Sequence, residues 1–241
     1  MIFLNNYIIL NGIDSRSING LLISTLPPVT KPFIRTQIDE IDGRDGDIVT
    51  KLGYSAYDKS FNVGLHGDYN IDDVIAFFDS EGKVTFSNED DKYYNYQIVS
   101  QIDFERLRRF KTATVTMHVQ PFKYSLLEGT KAITIDNVYS NVHDIIVRNN
   151  GNVVSKPTIT IYGTGGIELG LNGKKILNIE LGNDAHITID VTNMNAHKDG
   201  VSKNRKVSGN YDEFILSVGK NTINITGDAT KIEIDGISRW I

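Results

Sequence analysis

The sequence predicts a mainly β protein in two parts: an amino-terminal domain of barrel-like strands with one short α-helix over residues 1–128, then a β-sandwich or jelly roll over residues 129–241. Three observations carry that prediction. Residues 112–124, TATVTMHVQPFKY, set Ala113, Val115, Met117 and Val119 against Thr112, Thr114, Thr116 and His118, the period of a half-buried strand. Only the stretch after Asn70 changes clearly to a helical period. Past Tyr124 the composition shifts: the first 124 residues hold 17 acidic and 13 basic side chains and most of the aromatics, whereas the last 117 are rich in Ile, Asn, Gly and Thr and nearly neutral. Residues 121–128 are therefore read as a seam between two domains, each long enough to bury a core of its own.

In chain order, residues 2–10 and 18–23 read as strands, with Asn11 and Gly12 supplying a turn and Pro27-Pro28 ending the second. Residues 36–52 contain Asp39, Glu40, Asp42, Gly43, Arg44, Asp45, Gly46 and Asp47. So polar a segment cannot fill a core, and it is expected to be an exposed loop or an arm that reaches a neighbouring subunit. Phe61, Val63 and Leu65 alternate on a strand closed by Gly67. Asn70 then caps a helix with Asp72 and Asp73 in its first turn, Val74, Ile75, Phe77 and Phe78 as its apolar stripe, and Gly82 past its end. Residues 84–86 and 93–104 return to strand, with Tyr93, Tyr94 and Tyr96 suited to cross-strand packing. Arg106, Arg108, Arg109 and Lys111 fall between that strand and the next, at a solvated hairpin tip or a partner-facing rim. Pro121 removes a ladder donor, so the strand of residues 112–124 is expected to stop there.

The second half is strand by pattern. Residues 132–135, 143–147, 158–162, 167–171, 175–181, 186–191, 221–226 and 231–234 alternate between short Gly/Asn turns, with no helix between them, which indicates antiparallel sheets packed face to face. Residues 193–214 interrupt the series with Lys198, Lys203, Arg205 and Lys206 and read as a long loop at one end of the sandwich.

Function classes narrow by exclusion. The chain has no cysteine, which removes thiol chemistry and cysteine metal sites. Its first residues lack a basic leader and break their apolar run with Asn5, Asn6 and Asn11, a poor signal peptide or membrane span. A formal net charge of −5 argues against direct binding to nucleic acid. Gly163, Gly165 and Gly166 follow a strand but precede another strand, so they are turn glycines and not a nucleotide fingerprint. The histidines, His66, His118, His143, His186 and His197, form no HExxH; His186 with Asp184 and Asp190 is the nearest approach to a metal cluster and lacks further ligands. The carboxylate clusters lie on turns, where nothing would separate their acidities for acid–base work. No catalytic, cofactor-binding or metal-ligating residue is assigned, and no enzyme is expected.

Several stretches carry a family likeness: FLNNYIILNG near the amino terminus, GRDGD at 43–47, GKVTFSNEDDKYYNYQI at 82–98, QPFKY at 120–124, NNGNVVSKPTITIYGTGGIELGLNG at 149–173 and the terminal SRWI. Together they resemble the distal tail proteins of long, non-contractile-tailed bacteriophages of Gram-positive hosts. The resemblance implies a first domain whose copies close into a hexameric ring, and a peripheral second domain of galectin-like or jelly-roll type. It further implies a virion protein at the distal end of the tail, made in the bacterial cytoplasm. Its partners would be the tail-tube protein and the tail-associated baseplate hub, with receptor-binding or peripheral baseplate proteins in some relatives. Arg44, Asp45, Asp47, Arg106, Arg108 and Arg109 are then candidates for the polar rim between subunits. The rival class is a carbohydrate-binding module or host-surface adhesin. It needs exposed aromatics beside polar groups, of which the second half offers Tyr139, Tyr162, Tyr211, Phe214 and Trp240.

Overall fold

The structure, a computed structural model, describes residues 6–43, 45–135 and 142–241. The chain divides into two compact units, residues 1–126 with Ile241, and Leu127–Trp240. Arg44 of the candidate rim and Tyr139 of the aromatic set lie outside the described residues.

The first unit is a curled antiparallel sheet. Its strands are β1 (Ile8–Leu10), β2 (Ile13–Asp14), β3 (Leu21–Ile23), β6 (Tyr57–Leu65), β7 (Glu81–Phe86), β8 (Lys92–Gln97) and β9 (Thr112–Ser125), while β4 (Ile34–Glu40) and β5 (Asp47–Tyr54) stand apart as a separate ribbon. The sheet order is β2-β1-β7-β8-β9-β6-β3. Alternation in β9 does what its sequence dictates: Ala113, Val115, Met117 and Val119 are buried. They meet Phe61, Val63, Val84, Phe86 and Tyr94 in one core. Helix α1 (Ile71–Phe78) covers part of that core with Val74, Phe77 and Phe78, and Asn70 Oδ1 accepts the Asp72 amide at its start.

Three expectations need correction here. Strand β9 does not stop at Pro121 but runs to Ser125. Pairing with β6 ends at Val119, and the register with β8 slips between Tyr94 and Tyr96, so Pro121 occupies an irregular position where a missing donor is tolerated. The segment 93–104 is not one strand, since β8 ends at Gln97. The arginines that follow sit on a second helix, α2 (Phe104–Phe110), and not on a hairpin tip; Asp103 Oδ1 accepts the Arg106 amide at 2.7 Å and Leu107 is fully buried. Among its described residues the unit thus holds two short α-helices instead of one.

The second unit contains β10 (Lys131–Thr134), β11 (Val142–Asn149), β12 (Thr158–Leu171), β13 (Lys174–Gly182), β14 (His186–Asp190), β15 (Asn195–Lys198), β16 (Val201–Ser202), β17 (Val207–Gly209) and β18 (Gly219–Asp235). Two of these, β12 and β18, are long strands that pair with each other along their length. Their outer halves pair as Thr158–Tyr162 with Lys231–Asp235, and their other halves as Ile167–Leu171 with Ile223–Gly227. The pairs 158–162/167–171 and 221–226/231–234, read from sequence as separate strands, are therefore single strands bent at a corner. Glycine makes the corner possible: Gly227 has φ +113°, and a Cβ there would lie 2.4 Å from the Gly166 carbonyl oxygen. Ile159, Ile161, Ile187, Ile189, Ile225 and Ile232 fill the interior. Residues 193–214 are not a plain loop, because β15, β16 and β17 extend the sheet from within them.

Candidate assembly surface

The ribbon β4–β5 has no core beneath it, and every described residue from 35 to 52 is exposed. Its register pairs Thr36 with Lys51, Ile38 with Val49 and Glu40 with Asp47 on one face, and Gln37 with Thr50 and Asp39 with Ile48 on the other. The expected exposed arm is thus a hairpin, not a loop. Ile38 and Val49 remain 58% and 61% exposed. Glu40 stands directly opposite Asp47, an arrangement of like charges that weakens an isolated pair of strands. Asp45 lies in the exposed turn between the strands and Asp47 opens β5.

The root of the hairpin is held firmly. Tyr54 meets Phe122 edge-on at 5.4 Å, and Ser55 N donates to the Phe33 carbonyl at 2.9 Å. On the approach to β4, Asn88 Nδ2 donates to the Pro27 carbonyl at 3.1 Å, Lys59 Nζ to the Pro28 carbonyl at 2.8 Å and Tyr57 Oη to the Thr30 carbonyl at 3.4 Å. Lys59 is buried, and burial pulls its ammonium down to about 8, opposed by the nearby Glu89 carboxylate. Glu89 itself accepts from Lys123 Nζ at 2.7 Å and from Tyr94 Oη at 3.1 Å. Sequence alternation alone gives no sign of this buried network, since Lys59 and Lys123 occupy inward positions normally held by apolar side chains.

Helix α2 supplies the other predicted group. Arg106, Arg108 and Arg109 are all exposed; Arg109 Nη1 lies 3.5 Å from Glu105 Oε1, one turn away, while Arg106 and Arg108 form no ion pair among the described residues. Ile71 and Ile75 of α1 with Phe104, Glu105, Arg108 and Arg109 of α2 line an open groove of about 600 Å³. Within the chain no ion pair joins the hairpin carboxylates to the arginines, among the described residues.

Asp184 is not poised beside His186: its carboxylate accepts from Lys206 at 2.6 Å, Lys203 at 3.2 Å and Lys198 at 3.4 Å, and these hydrogen bonds, led by Lys206, hold it well below the usual carboxylate range. Asp190 accepts from Asn193, and His186 Nε2 faces Asp199 at 3.5 Å while its ring tilts against Tyr162 at 5.2 Å. Among the described residues no three His, Asp or Glu side chains gather as a metal site. Of the aromatics that an adhesin would expose, Phe214 is fully buried.

No family model matches the sequence, and comparison with curated proteins finds none that matches. Solved structures do. The crystal structure of SPP1 Dit (gp 19.1), a paradigm of the hub adsorption apparatus in phages infecting Gram-positive bacteria, aligns over 98% of this chain and 99% of that one, with a TM-score of 0.58 and 16% identity. At that identity the likeness is one of fold. Two structures of the phage P2 baseplate in its activated conformation give weaker matches. The one with calcium has a TM-score of 0.47 and 9% identity over 98% of this chain and 97% of that one. The one with strontium has 0.48 and 12% over 95% and 97%. Similarity below 0.5 is too slight to argue from.

Proposed function

We propose that this chain is a distal tail protein: a structural component of a non-contractile phage tail whose first domain, residues 1–128, closes into a hexameric ring that joins the tail tube to the baseplate hub. One observation carries the reading. Both units, in their order along the chain, align with SPP1 Dit almost end to end, so the likeness is to a whole protein and not to a common sheet motif. The number six comes from the family resemblance of the sequence. The hairpin supports self-assembly independently, because two strands with exposed Ile38, Val49 and Leu52 and no layer behind them are marginal in water and gain stability only when a surface covers them.

The second domain, residues 129–241, then sits at the ring periphery and touches baseplate components. Imaging of assembled tails, with native mass spectrometry of the purified chain mixed with its tail-tube and hub proteins, tests the proposal. A ring of six copies at the distal end of the tube is the expected result. A chain that stays monomeric with both partners present, or that joins the particle as a dimer through its second domain, overturns it.

A further inference from the structure

Given a ring, the geometry points to its contact: we propose that the β4–β5 hairpin of one copy docks, Ile38/Val49 face down, into the α1–α2 groove of the next. The inference rests on the self-assembly proposed above and adds the surface and the residues. Two unsatisfied surfaces of the same unit match in both polarity and spacing. On the hairpin, an exposed apolar pair, Ile38/Val49, is followed two residues nearer the turn by the acidic pair Glu40/Asp47, about 7 Å further on at the rise of a strand. In the groove, apolar Ile71, Ile75 and Phe104 are followed by Arg108 one helical turn beyond Phe104, about 6 Å along the axis.

Charge decides the occupant. Residues 39–47 hold five carboxylates, Asp39, Glu40, Asp42, Asp45 and Asp47, against Arg44 alone, whereas α2 presents Arg106, Arg108 and Arg109 against Glu105. Glu105 is already engaged by Arg109. Setting Glu40 and Asp47 beside Arg108, which lines the groove, relieves the like-charge pair of the ribbon and supplies a partner to a guanidinium group that has none among the described residues. A hairpin strand of seven residues reaches roughly 20 Å from its root, far enough to cross to a neighbour. When each hairpin enters the groove of the next copy and not that of the copy seated on its own groove, the contact is heterologous, the kind that closes rings.

The native chain has no cysteine, so a Val49→Cys/Ile75→Cys double variant reports this contact directly. Mild oxidation of the full chain, at a concentration where native mass spectrometry finds it assembled, should give a ladder of disulfide-linked copies that neither single variant gives. A parallel series reverses charge: Glu40→Lys/Asp47→Lys and Arg108→Glu should each weaken assembly about tenfold or more, and their combination should recover most of the loss. Circular dichroism confirms that each variant is folded. Assembly without the 49–75 cross-link and without charge-reversal rescue overturns this contact and leaves the ring intact. A 49–75 disulfide found only within monomers overturns it as well, by seating the hairpin on its own groove. Failure of the unmodified chain to assemble with its tail partners overturns both this contact and the ring.

Discussion

Replacing Leu107 with alanine should dismantle helix α2 without touching its arginines. Leu107 is the one buried residue of a seven-residue helix, and a helix so short has little stability of its own in water. The substitution removes three carbons from a fully buried site, about 2.4 kcal/mol at roughly 0.8 kcal/mol per methylene. A cavity left beneath the helix adds about 1 kcal/mol or more if its neighbours cannot collapse, for a total near 3–4 kcal/mol. Urea unfolding followed by tyrosine fluorescence gives the global loss, and amide exchange of residues 104–110 locates it. If α2 releases locally before the sheet unfolds, the global loss is smaller and exchange in those amides rises sharply. A loss below about 1 kcal/mol with unchanged protection of α2 would refute the reasoning. It would mean that the helix is held by its caps, Asp103 and the left-handed Lys111, and not by packing.

Three further outcomes follow from particular contacts. Asp184 has its acidity raised by Lys206, Lys203 and Lys198, so its folded pKa lies below the ordinary value of 3.8; the stability it contributes is present above that value and fades as pH falls through the folded one. The melting-temperature gap between wild type and Asp184→Asn should therefore narrow on going from pH 5 to pH 2, and a gap that holds constant argues that the three lysines do not act through its charge. Lys59 has linkage of the same sign in a different window: burial lowers it from 10.5 to about 8, the unfolded chain binds more protons between those values, and stability should rise with pH across that window relative to Lys59→Met. Equal pH slopes for the two proteins would dismiss the buried ammonium. Gly227→Ala puts a Cβ 2.4 Å from the Gly166 carbonyl oxygen at a φ of +113°, and should cost at least about 2 kcal/mol in denaturant unfolding of the second unit; a neutral result would mean that the corner of β12 and β18 yields easily.

Much of the fold was legible because one buried face forces period-two alternation. Residues 112–119, 159–161, 187–189 and 223–225 declared themselves as strands, and Asn70 with its two following aspartates declared α1. What escaped lacked that forcing. Helix α2 carries its apolar residues at Phe104, Leu107 and Phe110, a helical spacing, but Ile98, Ile102 and Phe104 run into it with the alternation of a strand and hide its start. The Asp103 cap, with Arg106 at the third helical position, was the available signal. The hairpin escaped for the converse reason. With both faces in solvent, β4 and β5 have no buried side to impose a period, so their residues read as a polar loop although the cross-strand pairs Ile38/Val49 and Glu40/Asp47 are orderly. In the second unit Gly163, Gly165, Gly166 and Gly227 signalled a break correctly, but a break that turns a corner within one strand leaves the same sequence mark as a turn between two.

That asymmetry bears on function. Four sheltered titratable groups of the first unit, Lys59, Lys123, Glu89 and Tyr94, are engaged with one another and with the Pro28 carbonyl. They secure the segment leading into β4, and Tyr54 on Phe122 secures the strand leaving β5. The chain thus places buried polar side chains, costly unless satisfied, at the root of an arm whose far end has nothing to rest on. In the proposed contact, rigidity at the root reduces the freedom the arm must surrender, so more of the burial of Ile38 and Val49 would appear as binding. In this fold the polar core holds the root of the hairpin that is proposed to dock on a neighbour, the role that an active-site scaffold has in an enzyme.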